Sequence, residues 1–244
     1  MSQAKERPIL FSGPMVRAIL EGRKTVTRRE IKPRMRSADT QFELHQQPDG
    51  SWRPMHTFDE SCMDAQGTEH PIVCPYGQVG DRLWVRESWQ DVHPVQVTDG
   101  RYTQLGRAGI PGPPEVTSQT IYRADGPYPV VYHTHAHPYR CLQPDPKHLP
   151  TPAEGGFTGW APSIHMPRWA SRILLEITDV RVERLQEITT EQIIAEGLVT
   201  SLREHDAVCD LREQWQQLWS GLNGTESWTS NPWVWVVEFK QVQP

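Results

Sequence analysis

The amino-acid sequence calls for an α+β fold of short strands and short helices, interrupted by two long loop-rich insertions. Three observations lead there. The opening of the chain reads as strand, helix, strand, and the C-terminal third reads as strand, helix, helix, strand. The stretches at about 31–75 and 90–165 are polar, proline-punctuated and weakly periodic. The 244 residues include 22 Pro and 10 Trp but are only 36% hydrophobic. Such a composition supports a modest core in which tryptophan supplies much of the buried area. Residues 1–244 are read as a single domain carrying these two insertions.

Each element has a local reason. Arg7 to Phe11 enters as a short strand. Ser12 is a fitting N-cap and Pro14 suits the first turn of a helix. Val16, Ile19 and Leu20 form its apolar face, and Gly22 ends it. Thr25 to Arg29 is β-branched and polar, hence extended. In a regular strand Lys24 and Thr27 face opposite ways, so joint action requires a turn between them. Tyr76 to Arg82 has turn chemistry and leads into an alternating strand, Leu83 to Trp89. Tyr122 to Tyr132 is a hairpin candidate. Ser171 to Arg184 alternates as one strand or two. Thr189 or Thr190 caps a helix, Glu191 to Glu196, which ends at Gly197. Asp210 to Ser220 is amphipathic, with Leu211, Trp215, Leu218 and Trp219 on one side, and Trp233 to Lys240 closes the fold as a strand.

Charge is uneven. The net charge is −5, yet Arg17 to Arg36 holds eight Lys/Arg against Glu21 and Glu30, a local +6 that leaves −11 elsewhere. An acidic body disfavours long nucleic acid; a basic site on it suits a small anionic or nucleoside-type ligand, or short RNA. Cys62, Cys74, Cys141 and Cys209 are far apart and make no disulfide framework or zinc ribbon. The region Met1 to Phe11 lacks the apolar core of a secretory signal. The apolar run Trp233 to Val237 is far below the ~18 residues of a membrane span. The expectation is a cytoplasmic protein with no membrane partner.

Within the basic stretch, Gly22-Arg23-Lys24-Thr25-Val26-Thr27-Arg28-Arg29 has the form Gly-x-Lys-x-x-Thr-x-Arg. It is followed, in order, by Val79-Gly80-Asp81-Arg82-Leu83-Trp84-Val85, the strand–helix unit Ile173 to Leu198 and the strand Trp233 to Lys240. Together these segments, about half of the chain, resemble an ASCH domain of the PUA-like β-barrel superfamily. The longer ASCH proteins carried by phages and prophages share the overall look. The resemblance implies a PUA-like barrel flanked by short helices, the two insertions having no counterpart in the minimal domain. Many ASCH proteins carry Glu at the position of Thr27, whereas amidohydrolases that release acetate from N4-acetylcytidine carry Thr. In that group Lys, Thr and a later Glu act together. The matching positions are Lys24, Thr27 and Glu196, with Glu191 the alternative register, and Arg29 matches the motif arginine.

The implied activity is metal-independent hydrolysis of an acyl group on the exocyclic amine of a modified cytosine nucleoside, with no cofactor. Thr27 would attack the carbonyl, assisted by a base. Lys24 serves as that base if neutral, and burial and the nearby Arg23, Arg28 and Arg29 favour neutrality, while Glu196 opposes it. Glu196 alternatively donates a proton to the leaving amine, and Thr27 alternatively orients water. The resemblance also allows RNA or modified-base binding without hydrolysis, or ribonuclease action. Further substrate contacts are expected from Arg23, Arg28 and Arg29, from Trp84 and Arg86 on one strand face, and from His165, Arg168 and Trp169. Glu87 would point elsewhere. His133, His135 and His137 crowd one strand with Cys141 nearby, and His56, Cys62, His70 and Cys74 match no standard zinc spacing, so no metal site is expected.

Overall fold

The structure is a computed structural model that describes residues 4–32, 40–58, 70–95, 104–105, 111–112, 119–126, 130–132, 139–143 and 159–243. The chain is a mixed α+β protein, mostly strands with few helices. It divides into two compact units, one of Met1–Arg7, Ala18–Trp84 and Ile173–Pro244, the other of Pro8–Arg17 and Val85–Arg172.

The opening elements are strand β1 (Glu6–Leu10), helix α1 (Gly13–Leu20) and strand β2 (Val26–Glu30). Val16, Ala18 and Ile19 are buried on α1, while Leu20 is exposed rather than part of the apolar face. Three strands follow in the first insertion, β3 (Thr40–Gln46), β4 (Trp52–Phe58) and β5 (His70–Pro71), so its described residues include a small antiparallel sheet. Next come β6 (Arg82–Arg86), β7 (Trp89–Val95), β8 (Gln104–Leu105), β9 (Pro111–Gly112), β10 (Gln119–Tyr122), β11 (Val130–Tyr132) and β12 (Tyr139–Gln143). The C-terminal third contains β13 (Leu174–Arg184), α2 (Thr190–Ala195), α3 (Glu204–Asn223), α4 (Thr225–Thr229) and β14 (Trp233–Val242).

The five-stranded sheet has the order β1-β6-β13-β14-β2, with β1 and β2 at its edges. No closed barrel forms among the described residues. The long β13–β14 pair is its spine, interrupted by one irregularity between Ile177 and Asp179. Asp81 ties the turn before β6 to the start of the chain: its carboxylate accepts from the Lys5 and Gln78 amides and from Arg7.

Helices α2 and α3 cover one face of this sheet. Val26, Val234 and Val236 pack there against Leu185, Ile188, Ile193, Leu211, Trp215 and Trp219. Thr189 caps α2 in a reciprocal box with Gln192, which settles the two sequence alternatives. Helix α3 begins earlier than the stripe of Leu211, Trp215, Leu218 and Trp219 suggests, with Glu204 to Cys209 forming its first turns. The Trp219 indole N–H donates to Ser227 of α4, an element without a signal of its own in the sequence.

The second unit carries a sheet of order β10-β7-β12-β11, in which β12 runs parallel to β7. Tyr122 to Tyr132 is not a hairpin. Strand β10 pairs with β7 and β11 with β12, because the turn after Tyr122 is closed by Asp125 and Gly126 while Tyr122 aligns with Trp89. Among the described residues no helix is long and apolar enough to cross a membrane.

Trp215 is 3% exposed and touches both helices and sheet. Trp215→Ala is expected to cost about 3–5 kcal/mol; chemical denaturation monitored by circular dichroism checks it.

Candidate functional site

The motif around Lys24 is shaped by the end of α1. Gly22 adopts a left-handed backbone, φ +73°, and its amide donates to Ile19 O. The Arg23 and Lys24 amides both donate to Ala18 O, at 2.8 and 3.0 Å, so the chain folds back over the helix terminus. Lys24 then bridges Glu196, and the Thr25 amide donates to Ala195 O. Glu196 is the last residue of the α2 turn and Gly197 follows with φ +96°. A Cβ on Gly197 would lie 2.8 Å from Ala18 Cβ and 3.1 Å from Lys24 Cβ. The absent side chain is what lets the two helix ends meet.

The result is a buried ionic cluster. The Lys24 side chain is 0% exposed and that of Glu196 2%. Lys24 Nζ donates to Glu196 Oε2 at 2.6 Å, to Val26 O at 2.8 Å and to Glu196 O at 3.0 Å. Arg28, also fully buried, reaches Glu196 Oε1 at 3.4 Å and Glu183 Oε2 at 2.9 Å. Glu183 additionally accepts from Arg181 at 2.6 Å. Burial pushes the Lys24 ammonium below its ordinary range, Arg29 and Arg28 add to this, and Glu196 opposes it. Burial also works against the ionised Glu183 carboxylate, but Arg181 and Arg28 outweigh it and hold that group low.

Strand register separates the expected trio. Across the sheet, Arg28 aligns with Val236 and Val236 with Arg181, while Thr27 aligns with Val237. Val26, Arg28, Arg181 and Glu183 therefore share one face, and Thr27 and Arg29 take the other. Thr27 is buried, and among the described residues its hydroxyl makes no hydrogen bond to Lys24 or Glu196. The structure brings Lys24 and Glu196 into direct contact and adds Arg28 and Glu183. Arg28, expected to meet substrate, is instead committed to two carboxylates. Glu183 was legible only as one of three alternating charged residues, Asp179, Arg181 and Glu183, on a strand. Glu191, the alternative register, is exposed in the first turn of α2. Arg23 is partly exposed and donates to Gly197 O and Glu21.

Trp84 is half-buried on β6 and aligns with Leu174. The other expected contacts belong to the second unit. Arg86 donates to Met166 O at 3.1 Å. His165 ends a short 3-10 turn and is exposed. Arg168 and Trp169 lie on a second such turn, with Trp169 edge-on to Trp89. Glu87 points inward, both of its oxygens accepting from Arg172. The histidines at 133–137 and Cys62 lie outside the described residues.

Two variants report on this geometry. Gly197→Ala combines a strained backbone with a close contact and is expected to cost about 1–3 kcal/mol, seen as a lowered Tm. The depressed Glu183 carboxyl stabilises the fold above its ordinary value of 4.5, and that contribution is lost as pH falls through the folded value. The Tm gap between wild type and Glu183→Gln should therefore be widest near neutrality and shrink below pH 4.5; thermal melts across pH measure it.

Comparison with known protein families, with characterised proteins and with solved structures finds no match to this chain.

Proposed function

We propose that the chain is an ASCH protein of the PUA-like superfamily and an amidohydrolase that removes an acyl group from the exocyclic amine of a modified cytosine nucleoside such as N4-acetylcytidine. The observation that carries the reading is the buried Lys24–Glu196 contact of 2.6 Å, joined through the two motif segments that suggested the family. Burial makes Lys24 easier to deprotonate than an exposed lysine, which is what a general base needs. The position of Thr27 on the opposite strand face favours water as the nucleophile. Water oxygen then adds to the acyl carbon as Lys24 takes its proton. The proton taken by Lys24 passes across the 2.6 Å contact to Glu196 and on to the leaving amine as the carbon–nitrogen bond breaks, and carboxylic acid and cytidine result. No metal or cofactor enters this scheme.

One observation favours the second reading, a module that binds RNA or a modified base without hydrolysis. All three protons of Lys24 Nζ have acceptors and the side chain has no exposed surface. A closed cluster of this kind fixes backbone beneath a binding face, and hydrolysis requires it to open. Ribonuclease action is a third arm of the same test.

The test is incubation of purified protein with N4-acetylcytidine and chromatography for cytidine, beside Lys24→Ala and, because removing one member of a buried pair endangers the fold, Lys24→Met. Cytidine from wild type, with turnover reduced about 10²–10⁴-fold in a folded variant, is the expected result. A wild type that releases no cytidine overturns the hydrolase reading, and RNA binding and cleavage assays then decide between the other two.

A further inference from the structure

Among the described residues of the second unit, two buried polar atoms on one face of one strand have no hydrogen-bond partner. Trp89 and Asp91 are two residues apart on β7, so their side chains leave the same face. Strand β10 sets Tyr122 opposite Trp89 and Thr120 opposite Asp91. Asp91 is 1% exposed. Its Oδ1 accepts from the Thr120 hydroxyl at 2.6 Å, but its Oδ2 has no donor among the described residues. The Trp89 indole N–H is likewise buried without an acceptor. Glu87, buried to a similar degree, has both oxygens occupied by Arg172. An unpaired buried carboxylate oxygen is costly, and native proteins leave few of them.

An aromatic surface adjoins this pair. Trp169 is 45% exposed, and its ring stands edge-on to Trp89 with centroids 5.5 Å apart at 88°. The turn that carries it is anchored by the Tyr122 hydroxyl, which donates to Ala170 O at 2.9 Å. A hydrogen-bond acceptor, a hydrogen-bond donor and a solvent-facing indole thus cluster around one end of β7.

We propose that this face binds a flat amino-nucleobase. Asp91 Oδ2 accepts from the exocyclic amine, the Trp89 N–H donates to the neighbouring ring nitrogen, and Trp169 stacks on the ring. A carboxylate only accepts and an indole N–H only donates, so the ligand edge must supply one donor and one acceptor. Cytosine and adenine carry an amine beside a ring nitrogen and a π-face that indole stacks well. Both polar atoms are closed to water in the free protein, so the Trp169 indole moves off the Trp89 edge as the base enters. Nothing in this argument uses Lys24 or Glu196, which belong to the first unit.

Titration with adenosine, followed by tryptophan fluorescence, tests the site. Adenosine is not a product of the proposed hydrolysis, so the two proposals fail separately. Saturable quenching is expected. N6,N6-dimethyladenosine, whose amine has no hydrogen, should bind about tenfold or more weakly. Asp91→Asn should weaken adenosine binding by a similar factor without lowering Tm, since it removes an unpaired buried charge. Trp169→Ala alters an exposed side chain, leaves the fold intact and should also weaken binding, which keeps the test decisive if the Asp91 variant misfolds. Absence of saturable adenosine binding, or equal binding of the dimethylated analogue, overturns the proposal and leaves the two atoms to an ordered water.

Discussion

The contact between Lys24 and Glu196 is the constraint on which the first unit depends. It joins the residue that follows α1 to the residue that ends α2, across 172 positions of sequence. Neither charge reaches solvent, so each requires the other. Lys24 also spends two protons on backbone carbonyls, Val26 O and Glu196 O, which fixes the entry to β2 and the exit of α2 together. Removing Lys24 would leave the buried Glu196 carboxylate with the longer Arg28 contact of 3.4 Å. The pair thus sets backbone geometry first, and any chemistry is built on that geometry.

From this pair a chain of charges runs along one sheet face. Arg28 links Glu196 to Glu183, and Arg181 links Glu183 to Asp179 and Glu238. The alternation that sends Arg28 to this side sends Thr27 to the other. A hydroxyl nucleophile and a lysine base are therefore not assembled by the strand itself. A water molecule has no such restriction, which is why the proposed chemistry runs through water.

The second unit handles its buried charge differently at two places. Glu87 is fully answered by Arg172, whose guanidinium also stacks on Tyr122 at 3.9 Å and pairs with Asp125. Burial raises the Glu87 carboxyl above its usual range even so, with Arg172 opposing. Asp91 on β7 is answered at one oxygen only among the described residues. A saturated cluster stiffens a fold, whereas a half-satisfied one retains affinity for something more.

Local signals determined much of this protein. Gly22 marked the end of α1, Thr189 or Thr190 the start of α2, and alternation the strands β6 and β13, because caps, turns and period-two patterns act over a few residues. The mixed α+β character and the inward Trp215 and Trp219 were legible for the same reason, whereas Lys24 and Glu196 were singled out only by the family resemblance. Tertiary structure alone decided the rest. The strands of the first insertion and of β7 to β12 have weak patterns and exist through pairing with distant partners. Arg28 reads in sequence as a substrate contact, and Glu183 carries no signal of its own. Only the register of β2, β14 and β13 brings them to Glu196. The unpaired atoms of Trp89 and Asp91 are likewise invisible in sequence, since a missing partner is a property of everything packed around a group and not of the group itself.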